Sequence, residues 1–192
     1  EANVRYDGTS RFAKDNRWGC FPSFSAGWNF SKEKFMSFAD PVLQMAKLRA
    51  SWGELGNQNV GDNFYPYLVA IESVDKAYPI GNQLNTGFQQ IALGNKNIKW
   101  ETIRMLNIGV DFALFNNRLT VSADWFKKNN MDALVRPSFP LVIGKWQKDS
   151  SRDYLPLENL GEVESRGWEI NLAWRDQIGQ VKYLSLIHIS EP

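Results

Sequence analysis

Cysteine and histidine each occur once in the 192 residues, as Cys20 and His188. A lone cysteine cannot close an internal disulfide, so a disulfide framework is excluded. One cysteine and one histidine also cannot assemble a zinc site of the usual kind. No run approaches the roughly 20 apolar residues that a membrane helix requires. Charge of one sign is not in excess: 22 basic and 21 acidic residues leave +1. Without a basic patch or an acidic tail, a nucleic-acid partner has no electrostatic footprint. GNQNVGD (56–62) has glycines, but no Lys-Ser/Thr follows to cradle a phosphate. There is no initiating Met and no signal peptide at Glu1, so the chain reads as mature or as a fragment. Aromatic residues are plentiful: eight Trp, twelve Phe and six Tyr, although mean hydropathy is negative. A barrel whose strands are half polar accommodates both facts.

The aromatic residues fall into a period of two. In GWEINLAWRD (167–176), Trp168, Ile170, Leu172 and Trp174 share one side of an extended chain, and Glu169, Asn171 and Arg175 share the other. The same alternation sets Phe24, Ala26, Trp28 and Phe30 against Ser23, Ser25, Asn29 and Ser31. It sets Leu48, Ala50 and Trp52 against Lys47, Arg49 and Ser51. It recurs for Ile108, Val110, Phe112 and Leu114, and for Leu119, Val121, Ala123 and Trp125, opposite Asp111 and Asp124. Further strands are expected before Asp7 and around Val181 to Tyr183. The class is all-β.

One hairpin can be checked internally. Asn116-Asn117 suits a two-residue type I′ turn, because asparagine tolerates left-handed backbone angles. That turn pairs Leu114 with Leu119, Phe112 with Val121, Val110 with Ala123 and Ile108 with Trp125, all apolar. On the other face it pairs Asp111 with Ser122 and Gly109 with Asp124. Connections alternate in length. Strand ends near Tyr6, Gly53 and Lys128 lead into long polar segments, 7–20, 54–98 and 129–159. The opposite ends turn back at 116–117 and around Asp176 to Gly179. The third connection there, 32–46, is longer, and SKEKFMSF is expected to form a helical turn. Long loops on one side and short turns on the other is the habit of outer-membrane barrels. From the Asn-Asn turn to Trp125 is about 26 Å of strand, or roughly 20 Å along the axis at about 40° of tilt. Trp125 and Trp168 then fall at an outer aromatic girdle and Trp174 at an inner one. Interfacial Trp is favoured because its ring is apolar and its N–H reaches water. The apolar face, with Trp28, Trp52, Trp125, Trp168 and Trp174, is therefore expected to meet lipid. The competing architecture is a soluble, aromatic-rich β-sandwich that binds carbohydrate, with the tryptophans in its core.

Several runs resemble the SusC/RagA class of TonB-dependent outer-membrane receptors of Bacteroidetes-type bacteria. They are RYDGTSRF (5–12), NRWGCFPSFSAGWNFSKEKF (16–35), KLRASWGELGNQNVGDNFYPY (47–67), the stretch 99–134 beginning KWETIRMLNIGV, and NLGEVESRGWEINL (159–172). Departures are small: Thr9 for Ser, Cys20 for an aromatic residue and Ser165 for Asn. The resemblance implies a 22-stranded barrel, of which 1–183 supplies about seven or eight strands, with the plug domain and TonB-contacting segment outside this stretch. It implies import of large nutrients, oligosaccharides or peptides, beneath a SusD-like lipoprotein lid, with energy from TonB, ExbB and ExbD. The location would be the cell outer membrane.

The last nine residues, LSLIHISEP, resemble a translated transposase end sequence used in DNA library preparation. Residues 184–192 are therefore expected to be a non-native tail, and the natural chain to continue past Tyr183. His188 then leaves the count, and Ser-His or Cys-His catalysis loses its base. Cys20 reads as a small wall residue. Asp62, Glu72 and Asp75 read as solvated loop charges, since nothing in their spacing marks an acid pair. No enzymatic role, cofactor or metal is expected. Loop aromatics are the candidates for contact with substrate or lid: Phe64, Tyr65, Tyr67, Tyr78, Phe88, Trp146 and Tyr154. Arg49, Asp111, Asp124 and Glu169 are expected to face the lumen.

Overall fold

The computed structural model describes residues 1–39, 41–61, 64–81, 83–137 and 156–191. Seven antiparallel strands form one sheet. They are β1 (Ala2–Gly8), β2 (Trp18–Asn29), β3 (Leu43–Asn57), β6 (Glu101–Leu114), β7 (Leu119–Val135), β8 (Glu158–Ile178) and β9 (Val181–Glu191). The order follows the chain, interrupted only by a separate two-stranded sheet, β4 (Ala70–Ile80) with β5 (Gln83–Ala92). The sheet is open, with β1 and β9 at its edges.

The register follows from the side-chain pattern. All six β6–β7 pairs expected from the Asn-Asn turn occur, from Leu114↔Leu119 to Ile108↔Trp125. Asn116 and Asn117 take φ of 58° and 62°, and the Arg118 amide donates to the Phe115 carbonyl at 3.2 Å. A slip of one residue would turn every apolar side chain to the polar face, so pattern and turn reinforce one register. The β8–β9 connection turns at Gly179, whose φ of 62° suits glycine, at the end of the expected Asp176–Gly179 stretch. Between β2 and β3, two 3-10 turns (Phe30–Lys32 and Lys34–Ala39) occupy the stretch expected to be helical.

Two features differ from the sequence reading. Strands run further at the long-connection end, to Asn57 on β3 and Val135 on β7, rather than stopping near Gly53 and Lys128. Backbone pairing needs no apolar side chain, so a ladder continues after the alternation fades. The 54–98 segment, read from the sequence as one long polar connection, contains the β4–β5 hairpin. Its mixed Gln, Ser and Asn content hides the period.

Six of the buried apolar side chains gather at the long-connection end: Phe12, Phe21, Val60, Ile98, Trp100 and Leu157. Trp100 meets Phe12 and Phe21 edge to face, with centroids 5.6 and 5.4 Å apart. Its indole N–H donates to the Arg17 carbonyl at 3.1 Å. A Cβ on Gly56 would lie 2.0 Å from Phe21 Cζ, so only glycine lets this ring settle. Asn159 ties the layer together: its Nδ2 donates to the carbonyls of Lys99 (3.0 Å) and Asp132 (2.7 Å). Asp132 has φ of 58° at an irregularity in the β7–β8 ladder, and its carboxylate meets Lys99 Nζ at 2.9 Å. This knot anchors the bases of three long connections.

Candidate functional site

The polar face of the sheet carries a charged network. Arg49 on β3, Gly109 on β6 and Asp124 on β7 stand in one cross-strand row. Arg49 Nε and Nη2 donate to Asp111 Oδ2 and Oδ1 at 2.6 and 2.9 Å, a two-point pairing suited to a planar guanidinium. Nη2 also reaches Asp124 Oδ2 at 3.1 Å, crossing β6 to do so. Gly109 makes that crossing possible: a Cβ there would sit 2.2 Å from Asp124 Oδ1 and 2.9 Å from Arg49 Nη2. Ser122 Oγ donates to Asp111 Oδ1 at 2.8 Å. Asp124 Oδ1 is buried without a partner. Glu169 lies opposite Asp124 on the same face but joins no ion pair among the described residues. Two carboxylates, Asp111 and Asp124, thus share one guanidinium, with Lys47 in register opposite Asp111.

The opposite face is apolar and uncovered. Trp28, Trp52, Trp125, Trp168 and Trp174 all lie on it by register: Trp28 opposite Leu48, Trp52 opposite Phe24, Trp125 opposite Trp168 and Trp174 opposite Leu119. Trp28 is 50% exposed and Trp125 41%. A soluble sandwich would bury this face under a second sheet, but among the described residues the other sheet is only the two-stranded β4–β5. Charged rows bound the band. Towards the long connections, Arg104 binds Glu54 at 2.7 Å and Lys127 binds Glu164 at 3.1 Å. At the short-turn end, Asp176 meets Arg118 at 3.5 Å. Along β8 the apolar stretch runs between Arg166 and Asp176, with Trp168 and Trp174 as its end members. That is about 33 Å of strand, or about 25 Å of height at a tilt near 40°.

The loop aromatics fall into separate places. Phe64 lies under the Arg11 guanidinium, 5.2 Å from its carbon to the ring centre. Tyr65 and Tyr67 meet edge to face at 6.4 Å. Phe88 stands 80% exposed on β5 of the hairpin. Tyr78 lies on β4. Trp146 and Tyr154 fall outside the described residues. Sequence reasoning missed Tyr6 and Trp18, which stack at 5.2 Å and 6° between planes at the long-connection end of the apolar face. The alternation in VRYDG and RWGCF carries them, but each run is short. It also missed the role of Gly109 and the buried knot, whose Phe12, Phe21 and Trp100 stand in the runs that carry the family resemblance. Cys20 is exposed opposite Tyr6, among wall side chains. β9 includes residues 184–191, and His188 Nδ1 contacts Asn171 Oδ1 across the ladder.

The family model described as TonB dependent receptor-like, beta-barrel matches residues 1–188. The TonB-dependent receptor SusC of Bacteroides thetaiotaomicron is 35% identical over 170 residues, covering 88% of this chain and 16% of the relative. A TonB-dependent receptor of Formosa agariphila is 36% identical over 174 residues, covering 90% of this chain and 15% of its own length. The chain therefore spans about one sixth of the curated relatives it matches. Among solved structures, the RagAB peptide transporter superposes with a TM-score of 0.77 at 22% identity, over 98% of this chain and 20% of that one.

Proposed function

The chain belongs to the TonB-dependent receptor β-barrel family, and on that premise we propose that it forms part of the wall of an outer-membrane importer of large nutrients. The observation that carries this reading is the apolar band. Its height of about 25 Å fits a hydrocarbon layer, and tryptophans followed by charged pairs mark its ends. On this reading the five tryptophans contact lipid. The short turns face the periplasm, and the buried knot and long connections face the cell exterior. The Arg49 network lines the lumen, where its surplus of acid faces the plug or passing cargo. The cargo is an oligosaccharide or a peptide; the structurally similar RagAB is a peptide transporter. A SusD-like lipoprotein lid would rest on the long connections, with Phe64, Tyr65, Tyr67, Tyr78, Phe88, Trp146 and Tyr154 as candidate contacts. TonB, ExbB and ExbD would act through a region outside this stretch.

The test is to sequence the source DNA outward from both ends of the reading frame and express the complete gene. A plug-encoding region upstream and further alternating strands after Tyr183 support the reading and make 184–192 a foreign tail. The encoded protein should fractionate with the outer membrane, copurify with a neighbouring lipoprotein, and be required for uptake of an oligosaccharide or peptide. A product soluble without detergent and monomeric would overturn it in favour of a carbohydrate-binding module.

A further inference from the structure

The connection between β2 and β3 differs from the other two at the same end. Those are tight turns, at 115–118 and after Ile178. This one contains the 3-10 turn Lys34–Ala39 (KFMSFA). A 3-10 turn repeats every three residues, so Phe35 and Phe38 project from the same side. Both are strongly exposed, at 60% and 80%. Water gives no reason to hold two phenyl rings outward on one short turn. The Phe35 ring lies 6.4 Å from Trp28, and Trp28 lies 5.8 Å from Phe30, which meets Phe112 at 6.3 Å. The exposed pair is therefore continuous with the apolar face of the wall. Trp28 Nε1 donates to Glu33 Oε1 at 3.1 Å, which fixes the start of the turn against the strand. Lys32 and Lys34, both exposed, flank Glu33.

We propose that this turn is a lipid anchor: Phe35 and Phe38 insert among the acyl chains of the periplasmic leaflet, and Lys32 and Lys34 meet phospholipid phosphates. The proposal rests on the membrane reading of the wall and adds to it a specific interfacial element. Apolar rings on one side and lysines beside them are the composition of interfacial segments, which bury their apolar face about 5–10 Å into the headgroup and acyl boundary. The tight 115–118 turn offers only Phe115, which leans on Trp174 at 6.4 Å. The anchor thus extends the inner girdle beyond the end of β2.

The experiment uses the complete receptor with Cys20→Ser and other cysteines removed, refolded into vesicles of phosphatidylethanolamine and phosphatidylglycerol. Nitroxide labels are placed singly through Phe35→Cys, Phe38→Cys, Ile170→Cys and Asn116→Cys. Collision rates with oxygen and with a water-soluble nickel chelate report depth. Ile170 lies within the apolar band, and Asn116 lies at a turn. Lipid-like ratios at 35, 38 and 170, with a water-like ratio at 116, are expected. A water-like ratio at 35 or 38 while 170 reads lipid overturns the anchor alone, and leaves that surface to a periplasmic protein or a second copy. A water-like ratio at 170 overturns the membrane reading and the anchor with it.

Discussion

The long-connection end and the middle of the same sheet are held in opposite ways. At the end, Phe12, Phe21, Val60, Ile98, Trp100 and Leu157 pack on one another as in a small soluble core. At mid-height the sheet has almost no interior: apolar side chains stand uncovered on one face, and the other face is a polar network around Arg49. The knot depends on shape, because each ring touches particular neighbours. On the proposed membrane reading the apolar face depends on polarity, because lipid accepts any apolar side chain. Substitutions should therefore follow packing rules at one place and transfer rules at the other.

The largest effect is expected in the knot. Trp100→Ala removes two edge-to-face contacts and the hydrogen bond to the Arg17 carbonyl. Aromatic truncations in packed cores cost about 3–5 kcal/mol. Denaturant unfolding of the complete receptor in lipid vesicles should show that loss, with protease cleavage appearing within 9–17. A loss below about 1 kcal/mol would mean that the knot is only loosely packed.

The next effect separates the two faces. Ile170→Arg sets a charge in the middle of the apolar band, where such changes cost about 2–4 kcal/mol. Its neighbour Asn171 points to the polar side, and Asn171→Arg should cost much less by the same unfolding assay. Equal costs at 170 and 171 would remove the polarity contrast between the faces.

How legible these regions were in the sequence follows the same division. The wall was readable because its pattern is binary: one apolar face with a period of two, a left-handed Asn-Asn turn, and a register that only one alignment satisfies. Arg49, Asp111 and Asp124 were placed on one face, but their union was not visible. It depends on Gly109, and an absent side chain leaves no mark in an alternation pattern. The knot was invisible as packing because Phe12, Val60, Ile98 and Leu157 come from irregular segments far apart in the chain. Of these, only Phe12 and Val60 stand in the runs that carry the family resemblance. The β4–β5 hairpin escaped because its strands mix apolar and polar residues on both faces.

A smaller effect is expected in the Arg49 network. Arg49→Met and Asp124→Asn, alone and together, form a cycle on one direct contact of 3.1 Å. The Arg49 side chain is 35% exposed, so solvent screens part of the attraction. Coupling of about 1–2 kcal/mol is the expected result. Gly109→Ala should weaken the same coupling without touching either charge, because its methyl group occupies the path of the guanidinium. Coupling that survives in the Gly109→Ala background would mean the pair has another route across β6.

The smallest change in stability is expected at the hairpin, and it is there that function separates from folding. Phe88 is 80% exposed on β5, so truncation removes little buried surface. Phe88→Ala should shift unfolding by no more than about 0.5 kcal/mol. On the proposed reading, an aromatic ring held outward at the exterior end is placed to meet lid or cargo, and interface energy concentrates in such rings. Copurification of the lipoprotein and uptake of cargo should therefore fall while the melting curve stays in place. Loss of the lipoprotein would assign the ring to the lid; loss of uptake with the lipoprotein retained would assign it to the cargo path. If both persist at the parent level, Phe88 belongs with the solvated surface of the hairpin, and the contact role passes to Phe64, Tyr65 and Tyr67 at the base of the same connection.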